Sequence, residues 1–118
     1  VSRAANTPVT PVPIDTPRGA PEVVAKLTLE RADVERRFGL WFTGVDHDLS
    51  PAVMALGRLA GGTIIGFAKV ELDPSPGVEV VQFAGPVPEP RDVVAELLED
   101  TGLTWDEVTW LLPQRGEP

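Results

Sequence analysis

Thirteen prolines in 118 residues confine regular structure to short pieces, and five of them, at positions 8, 11, 13, 17 and 21, crowd into the opening "VSRAANTPVTPVPIDTPRGAP". Proline fixes its own φ and removes a backbone donor, so residues 1–21 are expected to form an extended, polyproline-like arm, unable to join the middle of a sheet. A stiff arm loses less entropy when it orders along another protein, and "TPVTPVPI" is more apolar than a solubilising tail requires. Pro11, Pro13 and Ile14 are therefore candidate partner contacts; a plain tail is the alternative. Residues 22–118 suffice for one compact domain with one modest core.

From Glu22 the pattern changes to alternation. In "EVVAKLTLE", Val23, Ala25, Leu27 and Leu29 recur at the period of a strand with one buried face. "RFGLWFTG" repeats it, with Phe38, Leu40 and Phe42 on one face and Trp41 on the other. Ser50 before Pro51 reads as a helix N-cap and first-turn proline, predicting a helix to about Ala60 with Val53, Leu56 and Leu59 inward, ended by Gly61-Gly62. "TIIGFAKVEL" and "VEVVQFA" are expected to pair as a hairpin through the loop Asp73 to Gly77, and "GPVPEP" ends that pair. Arg91 to Asp100 has helical spacing, with Gly102 placed to cap it and Leu103 to close over it. "LTWDEVTWLLP" carries two signatures, a capping box at Thr104 and Glu107 and the alternation of Val108, Trp110 and Leu112; a final strand is preferred, because it completes a sheet in one short connection. The expected fold is α+β: a small mixed or largely antiparallel sheet of about five strands, two short helices, and the extended arm.

Charge narrows the function. Ten Lys and Arg against eighteen Asp and Glu leave a formal charge of −8, the wrong sign for neutralising phosphates, so no nucleic acid is expected as a partner. Arg31, Arg36 and Arg37 interleave with Asp33 and Glu35, as a solvated, salt-bridged turn would. The apolar stretches are too short to span a bilayer and the first thirty residues lack a secretory layout, so a soluble, cytoplasmic or assembly-bound protein with no membrane partner is expected.

Few residues offer chemistry. The absence of cysteine removes disulfides, thiolate ligands and thiol nucleophiles together. The sole histidine stands in "GVDHDLSP"; in an extended segment Asp46 and Asp48 share one face and His47 takes the other, so the three do not converge without a turn. Read as a calcium loop, the segment has Pro51 where glycine is needed and Gly57 where glutamate is needed. It is expected to be a loop leading into a helix. The glycines of "GRLAGGTIIG" read as a tight turn and close packing at Gly66 rather than a phosphate cradle, and no serine sits on a strand-to-helix elbow. Neither a cofactor nor a metal is expected. "VVAELLEDTGLTWDEVTWLL" has the rhythm of a helix-turn-helix, yet its would-be recognition segment carries Asp106 and Glu107 and no base. "GLTWDEVTWLLPQ" resembles the segment near the C-terminal end of ketoacyl-synthase III enzymes of the thiolase-like family. Gln114 stands where that family has its histidine, so the resemblance implies architecture and no activity.

Trp41, Trp105 and Trp110 remain. The last two lie among six acidic residues between Asp92 and Glu107, an aromatic within a charged rim that suits recognition; core or rim packing of a thin sheet is the plainer account of Trp41 and Trp110. The leading expectation is a non-enzymatic protein-protein interaction module, a subunit or assembly component of a larger complex or virion, contacting another protein through Pro11, Pro13, Ile14, Trp105, Glu96, Glu99, Asp106 and Glu107. One alternative is an acidic inhibitor or immunity-type protein covering the basic site of a toxin or nuclease; another is a small enzyme using His47 with Asp46 and Asp48.

Overall fold

The strand expected after the arm is β2 (Pro21–Leu27). It follows an edge strand, β1 (Thr10–Val12), and precedes helix α1 (Arg31–Phe38), β3 (Thr43–His47), β4 (Ser50–Arg58), β5 (Ile64–Val70), β6 (Val78–Phe83), helix α2 (Pro90–Thr101), a 3-10 turn at Trp105–Glu107 and β7 (Val108–Leu111). These elements come from a computed structural model that describes residues 9–16, 21–47, 50–71, 76–83 and 90–112. The fold is α+β, one antiparallel sheet of seven strands rather than about five, ordered β1-β4-β5-β6-β2-β7 with β3 also on β4.

Both helices cover one face of the sheet. Val34 and Phe38 of α1 and Val93, Val94, Leu97 and Leu98 of α2 join Leu27, Ile65, Phe67, Val78 and Val80 in the main core. The Phe38 and Phe67 rings meet at 5.7 Å between centroids. The other face carries a smaller cluster, Met54, Leu56, Ala68 and Val81, with Val12, Ile14, Val23 and Phe83 against it. No helix among the described residues is long and apolar enough to cross a membrane.

The hairpin expected from "TIIGFAKVEL" and "VEVVQFA" is β5 with β6, Phe67 opposite Val80. Of its connection, Asp73 to Ser75 lie outside the described residues, as do the first five residues of "GPVPEP". Gly77 ends the connection at φ 94°, where a Cβ would run into the Leu27 carbonyl. Its N–H donates to the Glu30 carboxylate at 2.9 Å, which ties the loop to the start of α1. The helix expected over Arg91 to Asp100 is α2; Gly102, at φ 79°, donates to the Leu98 carbonyl at 2.8 Å, and Leu103 is buried.

Three expectations are corrected. The segment from Ser50 is strand β4, not a helix to Ala60. Ala52, Val53, Met54, Ala55 and Leu56 are all buried, because β4 lies inside the sheet with both faces covered, and such a strand shows no alternation. Its Ala, Met and Leu favour helix intrinsically, but pairing on both edges overrides that preference. Gly61-Gly62 accordingly closes a hairpin instead of a helix: the Leu59 N–H donates to the Thr63 carbonyl and the Gly62 N–H to the Leu59 carbonyl, both at 2.8 Å, with Gly62 at φ 98°. Second, the basic cluster lies on helix α1 rather than in a turn, and the extended stretch expected from Phe38 begins only after Gly39 ends that helix at φ 70°. Phe38 and Leu40 are nonetheless buried, and Phe42 packs against the same core. Third, a bulge between Val23 and Ala25 breaks the alternation of β2, so Val24 joins Ala25 and Leu27 in the main core while Val23 turns to the other face.

Both readings of the final segment are realised in sequence. Glu107 accepts from the Thr104 N–H at 2.9 Å, forming the expected cap over a single turn, and Val108–Leu111 then pairs with β2.

Within the arm, Thr10–Val12 pairs with Arg58, Gly57 and Leu56 of β4, at the sheet edge where a strand containing proline is tolerated. Val9 is fully buried in the main core, and its side chain occupies the space that a Cβ on Gly57 would need. Val9→Ala is therefore expected to cost about 2 kcal/mol through the cavity it leaves, and Gly57→Ala about 1–3 kcal/mol through overpacking. The double variant should cost less than the two together, because the smaller residue 9 makes room for the new methyl. Urea denaturation of all four proteins measures this coupling; strict additivity would refute it.

Candidate functional site

β1 and β3 occupy the same edge of β4, end to end. Val12 lies opposite Leu56 and Thr43 opposite Met54, so the two short strands meet across from Ala55. Neither continues past the junction, and the break opens into a groove of about 330 Å³ on the face away from the helices. Its walls are Pro11, Val12, Pro13 and Ile14 from the arm side and Trp41 and Thr43 from the other, with Met54 and Leu56 as the floor. None of these side chains is charged. Trp41, for which core or rim packing was the plainer expectation, is instead 79% exposed at the lip. Gly39 turns the chain and Leu40 anchors it in the core, so the next side chain points out. That was legible in the sequence as the lone large residue facing away from Phe38, Leu40 and Phe42.

A second recess, about 240 Å³, lies at the opposite edge of the sheet and is lined by Arg91, Trp105, Val108, Thr109, Trp110 and Leu111. The Arg91 guanidinium sits 4.6 Å from the Trp105 ring centroid, a cation–π contact that holds the ring at the helix N-terminus. Trp105 and Trp110 are about two-fifths exposed, at 40% and 43%. Sequence reasoning passed over Arg91, although it is the sole base between residues 90 and 112.

The expected partner residues thus fall into two groups that the fold holds apart. Pro11, Pro13 and Ile14 line the groove, and Trp105 lines the recess with Asp106 and Glu107 in its turn. Glu96 and Glu107 have structural employment. Glu96 accepts from the Thr63 hydroxyl at 3.1 Å and lies close over Gly61, while Asp100 accepts from the Ala60 N–H at 2.9 Å. Together they fasten the β4–β5 turn to α2, which explains acidic residues near a helix C-terminus, where the helix dipole disfavours them. Glu99 and Asp106 are exposed and make no hydrogen bond or ion pair with described residues.

Asp46 and His47 are consecutive residues of β3, paired with Pro51 and Ser50 of β4. The segment is therefore a strand returning into a strand, not a loop before a helix; Asp48 lies outside the described residues, as does Gln114. No group of three or more His, Cys, Asp or Glu side chains that could hold a metal ion occurs among the described residues.

The arginines of α1 are engaged within the chain. Arg36 pairs with Asp33 at 2.9 Å and Arg31 with Glu35 at 3.5 Å, and Arg31 and Arg37 lie over the Phe42 and Phe38 rings at 5.6 and 6.0 Å. The hydrogen bond from the Glu30 backbone N–H, followed by that from Arg36, holds the Asp33 carboxyl below its ordinary value. A carboxyl whose folded value is depressed stabilises the fold above its unfolded value and loses that contribution as pH falls through the folded one. The stability gap between the wild type and Asp33→Asn should therefore be full at neutral pH and close on acidification below the usual carboxylate range, as followed by thermal melts across pH. For the turn clasp, Asp100→Ala is expected to cost about 1 kcal/mol and to speed hydrogen exchange at the Ala60 amide.

The chain matches no protein-family model, no curated protein and no solved structure.

Proposed function

We propose that the chain is a non-enzymatic protein-binding module, a subunit of a larger assembly, that takes an extended apolar segment of its partner in the groove between β1 and β3. The observation that carries this reading is Trp41, 79% exposed beside a hollow whose eight lining residues are all uncharged. An indole left in water above an apolar floor contributes strongly when a partner covers it, and tryptophan is prominent among residues that dominate binding energies. Pro11 and Pro13 make one wall stiff, so little order is lost on closing around a guest. The absence of charge in the groove favours a guest segment without charge at its centre, since a buried unpaired charge would be costly.

The role of the arm is refined by this reading. Its residues 11–14 shape the receiving surface, while Val9 is part of the domain's own core. Truncation before Glu22 would remove both, so the test uses point substitutions. Wild type, Trp41→Ala and Pro13→Glu are used as baits in lysate of the native source, and a captured partner is then purified and titrated against each. Trp41→Ala should weaken binding by tenfold or more, about 1.4 kcal/mol, with urea midpoints close to wild type. A partner held equally by all three proteins would remove the groove from the interface.

A further inference from the structure

The seat of β1 is built by residues far from it in the chain. β1 pairs with Leu56, Gly57 and Arg58 of β4, and Val9 fills the space beside Gly57, with the Leu40 side chain close by. β2, the next element after β1, is not its neighbour: β4, β5 and β6 lie between them in the sheet. At the usual spacing of strands the arm is displaced by about 19 Å from the strand it leads into.

Residues 13–20 join the two strands, with Pro13 and Pro17 among them and Pro21 at their end. Fully extended, a segment of that length reaches about 30 Å, well past the distance it has to cover. Prolines favour the extended path. The return within one chain instead begins with a bend, in which the Thr16 N–H donates to the Pro13 carbonyl at 3.0 Å. A connection that stays straight carries residues 9–12 outward, away from their own β4. What β4 recognises there is a valine in the gap left by Gly57 and a short ladder of backbone pairs, and both are the same in every copy of the chain. Exchange between copies therefore preserves the contacts of residues 9–12, and the path of the connection decides between the two states.

We infer that Val9 and β1 of one chain seat on β4 of a second copy, so that two chains exchange arms and each is strapped to the other. Pro11 and Val12 of each groove then come from the neighbouring copy, while Trp41, Thr43, Met54 and Leu56 stay with the home chain. Exchange does not depend on what the groove receives, since these walls are the same in both states.

The chain has no cysteine, so an introduced disulfide reports the exchange without interference. Thr10 and Arg58 stand directly opposite each other in the ladder and are both exposed, within the reach of such a bond. Full-length Thr10→Cys and Arg58→Cys chains are mixed in urea, refolded together under reducing conditions and oxidised. Protein concentration is raised to about 1 mM, where a free arm competes with a tethered one. A covalent heterodimer is expected, its bond mapped by mass spectrometry to residues 10 and 58 and its share rising with concentration. A Gly-Ser linker inserted between Gly19 and Ala20 eases the return and should lower that share about threefold or more. Trp41→Ala in the Arg58→Cys chain should leave it unchanged, so a failure of the groove to bind a guest and a failure of exchange are read separately. Wild type refolded in the same way should show the dimer mass by light scattering. A wild type that stays monomeric at every concentration, or a heterodimer indifferent to the inserted linker, would overturn the inference.

Discussion

Pairing along both edges of β4 is the constraint on which the rest of the structure depends. β5 takes one edge over seven residue pairs, and the other is shared by β3 and β1. Its faces are covered as well, Ala55 by the cluster that includes the helices and Met54 and Leu56 by the second cluster, so the strand is apolar on both. It also needs one position without a side chain, since Val9 enters the main core across Gly57. The arm's first described residue and the middle of the chain are thereby locked together, and β1 is held in register by a buried valine as well as by its backbone.

The same constraint produces the groove. Two separate strands cannot cover one edge without a seam, and the seam falls opposite Ala55, where the arm bends away at Pro13 and the chain from α1 arrives at Thr43. β1 is short because Pro13 follows it, and the chain enters β3 only after Gly39 has ended α1 and Leu40 has anchored it in the core. The seam is therefore a product of the chain's punctuation, and its apolar lining follows from the second cluster continuing to the sheet margin.

Legibility in the sequence tracked whether the flanking turn chemistry agreed with the element, since β5 and β6 are buried on both faces as β4 is. β5, β6 and α2 each have flanking turn chemistry that agrees with their periodicity, and their limits were readable from Gly77 and Gly102. β4 was not readable, because Ser50-Pro51 imitates a helix start in front of a continuous apolar run that has no period of its own to contradict it. α1 was missed because only Val34 and Phe38 are buried in its eight residues, too few to establish a helical period among the charges. The bulge in β2 left no mark that alternation could detect. Of the candidate site residues, the proline and tryptophan positions were legible from type alone. The grouping of Pro11, Pro13 and Ile14 with Trp41, and of Trp105 with Arg91, depends on which strands share an edge.

The sheet separates its two aromatic surfaces by the full width from β1 to β7, and their chemistry differs. At one edge Trp41 stands above an uncharged hollow; at the other Trp105 and Trp110 line a recess whose one charged lining residue is Arg91, stacked on the Trp105 ring. A charged segment would bury unpaired charge in the first, whereas the second already holds a guanidinium against its indole. The spacing between the two surfaces is set by the four strands, β4, β5, β6 and β2, that lie between β1 and β7.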